Sequence, residues 1–415
     1  MGSVTQDDSM YAPAINISNS TSGAFHAVEH MKFRRTVPVA TKQGTTYLNA
    51  AFQPPMNTRV KAAIDEYLDQ ATTCPNPKPI WQKIATESKA ELATHLNVPD
   101  SSLVFTRDTT EGLNLFQRSL KINAGDNVVI LDVEHPNQAY GWLGLVDQGL
   151  EVRFVNTGDH KFADADTFAP YVDERTIAIG ISSVMFHSGQ MNNVKDICTR
   201  LRGQGIHVLV DITQHVGTAV VDLSDWNVSA AAFSCHKAMG CPSGMAVLYI
   251  HPDVLPLLKP TPPIVGAGAI SNLAPTLLAN ADVQYLSTAS RYGHLNMSLI
   301  SAVALKASVR YIFEDMGIIR IEHHLRWLGR ELTRYCQELG VEVIGSQDPH
   351  KRSSHVYVLN LKDPAWQDHF QQENIFVSHY RDGVRVSFGF YNNDSDVERF
   401  VQSLDKGLRK GLMRS

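Results

Sequence analysis

Val228-Ser-Ala-Ala-Ala-Phe-Ser-Cys-His-Lys-Ala-Met-Gly-Cys-Pro-Ser-Gly-Met-Ala-Val-Leu-Tyr-Ile250 is a nearly uncharged stretch that reads as two buried strands on either side of a Gly/Pro turn. Lys237 stands in that turn. Burial disfavours the ammonium form, and carbonyl chemistry uses a deprotonated amine, so the position suits a lysine that forms a Schiff base. The other reading is a lysine whose stem lies along the apolar turn while its charge reaches solvent. The rest of the chain decides between them.

Upstream, short apolar runs alternate with amphipathic stretches from about Tyr47, the pattern of parallel strands joined by helical crossovers. Strands are expected at 127–131, 151–155, 176–181 and 207–211, and helices at 111–120, 137–147 and 194–202. A sheet of this kind gathers its ligand groups at the carboxyl ends of its strands, and Asp211 ends one of them. Downstream, the Pro- and Gly-rich segment 251–268 marks a change of domain. Beyond it the spacing predicts helices at 298–313, 319–339 and 394–408 and strands at 341–344, 355–361 and 384–388, a small α+β unit. The expected division is an N-terminal segment 1–44, partly disordered or packed on the small domain, a large domain 45–280 and a small domain 281–415.

The chain has 415 residues, enough for two domains or one large domain with a small appendage. With 42 acidic against 37 basic residues there is no electrostatic case for nucleic acid or an anionic membrane, so the expected partner is a small molecule. The five cysteines form no C-x-x-C pair and have no zinc spacing, which points to neither a disulfide framework nor a metal. The polar start lacks the order of a signal peptide, and no apolar run reaches transmembrane length. The expectation is a cytosolic protein.

Four further segments carry chemistry. Phe105-Thr-Arg-Asp-Thr-Thr-Glu-Gly-Leu-Asn114 runs from a strand end into a helix start. Thr109 and Thr110 with the free amides there can cradle a phosphate, while Asp108 and Glu111 also make an ordinary capping pattern. Asp132-Val-Glu-His-Pro-Asn137 places His135 over a strand end, as a functional imidazole or as a solvated one. Val208-Leu-Val-Asp-Ile-Thr-Gln-His215 delivers Asp211 and Gln214. A carboxylate emerging from an apolar strand needs a partner such as a protonated pyridine nitrogen, unless it caps the next turn. In Gly383-Val-Arg-Val-Ser-Phe-Gly-Phe-Tyr-Asn392, Arg385 offers a bidentate fork for a carboxylate or forms an internal ion pair.

The D-x-x-Q at Asp211, the S-x-H-K ending at Lys237, the Pro-Ser-Gly turn and the Arg-x-Ser-x-x-x-Tyr-Asn element at Arg385 together resemble aminotransferase class V. That group includes cysteine desulfurases, selenocysteine lyases, kynureninases and isopenicillin N epimerases. The resemblance covers the chain from about residue 46 onward. It implies fold type I: a mostly parallel seven-stranded sheet between helices in a large domain, with a small α+β domain at the C-terminus. It also implies pyridoxal 5'-phosphate as cofactor and a homodimer with sites at the subunit interface. By resemblance, Lys237 binds the cofactor and moves the α-proton, Asp211 pairs with the pyridine nitrogen, and His135 stacks on the ring, these three being the catalytic set. Gln214 matches the residue that reaches the phenolic oxygen, and Ser234 and His236 match phosphate ligands beside Thr109 and Thr110. Arg385 matches a clamp for the substrate carboxylate.

The chain departs from relatives in two places. Ser182-Ser-Val-Met-Phe-His-Ser-Gly189 replaces a segment that often holds Asn before Thr-Gly. His294, in Arg291-Tyr-Gly-His-Leu-Asn296, stands where relatives reach the partner's phosphate, so His294 and Tyr292 are expected either to contact the neighbouring cofactor or to pack. No cysteine follows Cys336, which argues against a persulfide-relay desulfurase. The leading expectation is lyase-type or decarboxylating chemistry on an α-amino acid through external aldimine and quinonoid intermediates. An aminotransferase is the first alternative and an amino-acid epimerase the second. Substrate side chains are expected to meet the segment before Trp81, Phe52, Gln53 and the Tyr292 region.

Overall fold

The computed structural model describes residues 27–158, 162–260, 265–276 and 281–413. Twelve strands follow in chain order: β1 (Thr46–Tyr47), β2 (Leu103–Thr106), β3 (Asn127–Leu131), β4 (Glu151–Val155), β5 (Thr176–Ser182), β6 (His207–Asp211), β7 (Ala230–Ser234), β8 (Ala246–Ile250), β9 (Val356–Leu359), β10 (Ile375–Phe376), β11 (Ser378–Tyr380) and β12 (Gly383–Ser387). Seven of them form the central sheet in the order β2-β8-β7-β6-β5-β3-β4. Six run the same way and β8 runs against both its neighbours. The two strands read around the Lys237 turn are β7 and β8.

Side chains alternate faces along a strand, and here both faces are apolar. Val129, Leu131, Ile179, Val208, Val210, Ala231 and Phe233 join one core, while Val128, Ile130, Ala178, Leu209, Ala230 and Ala232 join another on the opposite face. The second core is covered by Leu113 and Phe116 of the helix Thr109–Gln117 and by Trp142 of Pro136–Leu143. The first is covered by Ile197 and Leu201 of Val194–Leu201, by Leu92 of Lys78–His95, and by residues of the C-terminal half. A sheet buried on both sides accounts for strands that read as continuous apolar runs.

The C-terminal unit holds the antiparallel sheet β11-β12-β9, with the helices Ile318–Glu338, Ala365–Gln372 and Asp394–Arg409. Two expected elements take another form. Residues 341–344 form no strand, and Val343 makes a single bridge to Leu359. The helix expected at 298–313 is α-helical over Leu299–Val309 and continues as wider π-type turns over Arg310–Met316 before Gly317, at φ 83°, breaks it. The helices Thr58–Thr73 and Lys78–His95 pack on Leu299–Val309.

Residues 1–26 of the expected N-terminal segment lie outside the described residues. The helix Ala27–Arg35 docks on the C-terminal unit: Arg34 donates to both carboxylate oxygens of Asp396, at 2.6 and 3.0 Å, and His30 Nε2 lies 2.9 Å from Phe390 O. β1 then pairs in parallel with β10, and Ser387 N donates to Leu48 O at 2.8 Å. Residues 46–50 therefore travel with the C-terminal unit, and 51–53 cross from it to the edge of the central sheet. Among the described residues no helix is long and apolar enough to cross a membrane.

Candidate active site

The carboxyl ends of β2, β3, β5, β6 and β7 open on one edge of the sheet, and each is followed by a residue with chemistry. At β2, Asp108 Oδ1 accepts from Glu111 N at 2.7 Å and starts the helix Thr109–Gln117. The capping pattern is thus real, and it leaves Thr109 at a helix N-terminus, where backbone amides point outward. Thr109 Oγ1 lies 2.6 Å from Ser234 Oγ and 3.0 Å from Thr213 Oγ1, and Thr109 N donates to Ser234 Oγ at 3.2 Å. Three hydroxyls from three strand ends therefore meet over one helix start. Thr110 follows, half-buried, and His236 lies next to Lys237 with Asp108 nearby.

At β3 the carboxylate of Glu134 is buried and accepts from His135 N and Ser182 N, each at 2.9 Å, and from the Ser182 hydroxyl. Burial pushes its pKa up to about 7, against the pull of those donors. These bonds tie the β3 turn to the end of β5. They hold the backbone from which the half-buried His135 ring projects, with Nδ1 accepting from Asn137 N at 3.1 Å. Glu134→Ala leaves three donors without their acceptor and is expected to destabilise the protein by about 2–3 kcal/mol, which urea unfolding measures.

Asp211, at the end of β6, is buried, and its carboxyl pKa is raised by that burial. Its hydrogen bonds come from Thr213, whose backbone N–H lies 2.8 Å from Oδ1. That bond is the turn cap the sequence allowed; Asp211 forms no salt bridge among the described residues, while His135 and Lys237 lie near enough to favour its charge. Gln214 Nε2 donates to Ala51 O at 2.9 Å. Lys237 Nζ donates to Phe52 O at 2.5 Å and lies 5.6 Å from the Phe52 ring. Burial, then the positive charge of Arg385, pulls the Lys237 pKa down to about 8, with Asp211 opposing.

Arg385 comes from β12 in the other unit and is 1 % exposed. One nitrogen, Nη1, donates to Phe186 O at 2.7 Å, and the guanidinium lies 4.6 Å from the Tyr380 ring centre. Among the described residues Nε and Nη2 have no hydrogen-bond partner. The loop that supplies Phe186 O is held at Gly189, at φ 71°, where a Cβ would stand 2.2 Å from Val356 O. No internal ion pair to Arg385 is present among the described residues, so the carboxylate-fork reading is the one that remains.

His294 Nε2 lies 3.1 Å from Glu111 Oε1 of the same chain, and Tyr292 is fully buried in the core beneath the helix Thr109–Gln117. Tyr292 therefore packs, and does not line a substrate pocket. Trp81 is buried against Tyr67, and its indole N–H donates to Gln70. Sequence reasoning passed over Thr213, Glu134, Ser182, His355 and the Phe186 carbonyl. Thr213 sits inside the D-x-x-Q segment and Glu134 next to His135, so position in a strand-end motif was their available signal. Phe186 O and His355 carry no local signal.

This edge defines a fold type I α/β enzyme with a lysine at its centre. The aminotransferase class-V family model matches residues 57–400. An uncharacterized aminotransferase of Schizosaccharomyces pombe is 53 % identical over 378 residues, covering 91 % of this chain and 95 % of the relative. The chain belongs to the aminotransferase class-V family, whose members depend on pyridoxal phosphate. Among solved structures, apo cysteine desulfurase of Thermococcus onnurineus NA1 superposes with a TM-score of 0.82 at 23 % identity, covering 92 % of this chain and 98 % of that one. A C-DES mutant with glycine covalently linked to its PLP cofactor gives 0.81 at 20 % identity, covering 89 % and 98 %.

Proposed function

We propose that the protein is a pyridoxal-phosphate-dependent lyase acting on an α-amino acid, eliminating a group from the β-carbon without a cysteine nucleophile. The observation that carries the amino-acid reading is Arg385, a buried guanidinium with two nitrogens, Nε and Nη2, unpartnered among the described residues. Such a fork matches a carboxylate and repays the cost of burial only when one binds. The residues present fit the cofactor. Lys237 would anchor it, Asp211 would hold the pyridine nitrogen, and Gln214 would donate to the phenolic oxygen. Thr109, Thr213, Ser234 and the first amides of the helix Thr109–Gln117 would hold the phosphate, with Thr110 and His236 beside them and His135 facing the ring.

Bound there, the cofactor supplies an electron sink for a carbanion at the substrate α-carbon. Lys237, with its pKa near 8, offers free amine close to neutral pH and takes the α-proton. Arg385 binds the carboxylate charge in the ground state, which works against losing it as carbon dioxide, so elimination is favoured over decarboxylation. Chemistry without a persulfide relay is supported by four of the five thiols, Cys198, Cys235, Cys241 and Cys336, being buried with pKa values raised by burial, and by the absence of cysteine from 369–380.

The second reading is an aminotransferase, favoured by the name of the Schizosaccharomyces pombe relative. β-Substituted amino acids added to the holoprotein separate the two. A lyase releases ammonia and a 2-oxo acid catalytically with no acceptor present. Accumulation of one equivalent of pyridoxamine phosphate, with turnover only on adding a 2-oxo acid, overturns the lyase reading. We also propose a cytosolic homodimer. The family resemblance supports the dimer, and the five free thiols suit a reducing compartment.

A further inference from the structure

We infer that His355 is a positioning residue that, together with the Ala51 carbonyl, holds the Gln214 amide in one orientation, so that one Gln214 N–H is kept as a donor for the cofactor. This rests on the proposed role of Gln214 at the phenolic oxygen. The Gln214 side chain is buried between two fixed groups. At one end Nε2 meets the carbonyl of Ala51 at 2.9 Å. A carbonyl only accepts, so the nitrogen end is set. At the other end Oε1 lies 3.3 Å from His355 Nε2. An amide oxygen also only accepts, so His355 must carry its proton on Nε2.

His355 is 2 % exposed, and burial, with the nearby charges of Arg385 and His215, drives its pKa down to about 3. The ring is therefore neutral, with a single N–H to give. Its Nδ1 is a buried acceptor without a partner among the described residues, as is the hydroxyl of Tyr391. Both residues line a cavity of about 20 Å³ together with Gln214. A water needs roughly 10–15 Å³ in that measure, so there is room for one to serve Nδ1 while Nε2 serves Gln214. Of the two Gln214 amide hydrogens, one is taken by Ala51 O and the other remains for a ligand. A flipped amide would set carbonyl against carbonyl and offer the site an acceptor.

The consequence is electronic. With the cofactor bound, a Gln214 N–H donated to its phenolic oxygen would draw charge from that oxygen and lower the pH at which the bound Lys237 nitrogen loses its proton. His355→Leu removes the donor to Gln214 Oε1 and is expected to raise the pH midpoint of the holoprotein's visible band by ~1 unit. His355→Gln, which can present an N–H in the same direction, is expected to restore most of that shift. In a Gln214→Leu background, His355→Leu is expected to add nothing. Asp211, His135, Glu134, Lys237, Arg385 and His215, the titratable and charged groups around the site, are the same in every variant.

Nitrogen-15 NMR of the histidine-labelled full-length chain, with the His355 signals assigned by their loss in His355→Leu, supplies a readout that needs no cofactor. An Nε2–H tautomer supports the inference and an Nδ1–H tautomer overturns it. It is also overturned if His355→Leu leaves the midpoint unchanged, or shifts it equally in the Gln214→Leu background. If the wild-type chain holds the Nε2–H tautomer yet shows no visible band with pyridoxal phosphate, the amide orientation stands and the proposed function falls. Thermal unfolding confirms that each variant is folded.

Discussion

Arg385→Met is expected to lower kcat/KM for an α-amino acid by ~10²–10⁴-fold while making the ligand-free protein more stable. The guanidinium is buried with Nε and Nη2 unpartnered. A charge-assisted hydrogen bond contributes about 1.5–3 kcal/mol, so losing two to a substrate carboxylate costs about 3–6 kcal/mol, or about two to four powers of ten. Before substrate binds, the same group is a liability. An unpaired buried donor costs about 1–3 kcal/mol, and the charge adds a desolvation penalty of several kcal/mol. Against this stand the bond to Phe186 O and the contact with the Tyr380 ring, each worth about 1–3 kcal/mol. The balance favours methionine, which is of similar length and uncharged. Urea unfolding and steady-state kinetics with an amino acid and with its decarboxylated amine measure both effects. A variant that is less stable and loses equally on both substrates assigns Arg385 a purely structural role.

Lys237→Ala is expected to abolish the visible band and to reduce turnover by at least ~10³-fold, because anchor and proton carrier are lost together. It too should stabilise the ligand-free protein near neutral pH. The folded state holds the Lys237 pKa at about 8, below the ordinary 10.5, chiefly through burial. Below pH 8 the amine is charged in both folded and unfolded chains, so the folded state bears the full penalty, up to about 3 kcal/mol. As pH rises from about 8 to 10.5 the folded chain sheds its proton first, the penalty fades, and wild-type stability climbs towards that of the variant. Unfolding free energies at pH 7 and pH 10 compare the two. An equal difference at both pH values means that the amine is not desolvated.

Much of the site was legible because strand ends are local events. The segments ending at Leu131, Asp211 and Ser234 each carry an apolar run and then polar residues, and a parallel sheet brings such ends to one edge. Thr109 and Ser234 meet for that reason, though 125 residues separate them. The expected strand at 341–344 is reduced to one bridge: Asn360 N donates to Glu342 O at 2.9 Å and Ile344 N donates to Val358 O at 2.8 Å, so the segment pairs beside β9 around Val343 alone, too briefly to form a strand. Tyr292 takes the packing reading of the two left open, because an aromatic near a loop looks the same in sequence whether it lines a pocket or fills a core.

The sequence by itself determined the doubly covered sheet, the lysine turn between β7 and β8, and the resemblance that implied the cofactor, because each is written in residues close along the chain. What those residues touch depends on how the two units pack. Lys237 meets Phe52 O, Gln214 lies between Ala51 O and His355, and Arg385 leans on Phe186 O with two donors left open. Each of these contacts joins a strand-end residue or loop of the large sheet to the C-terminal unit or to the segment that crosses from it. Backbone carbonyls leave no trace in composition or spacing, so where they face is settled by how the two units pack.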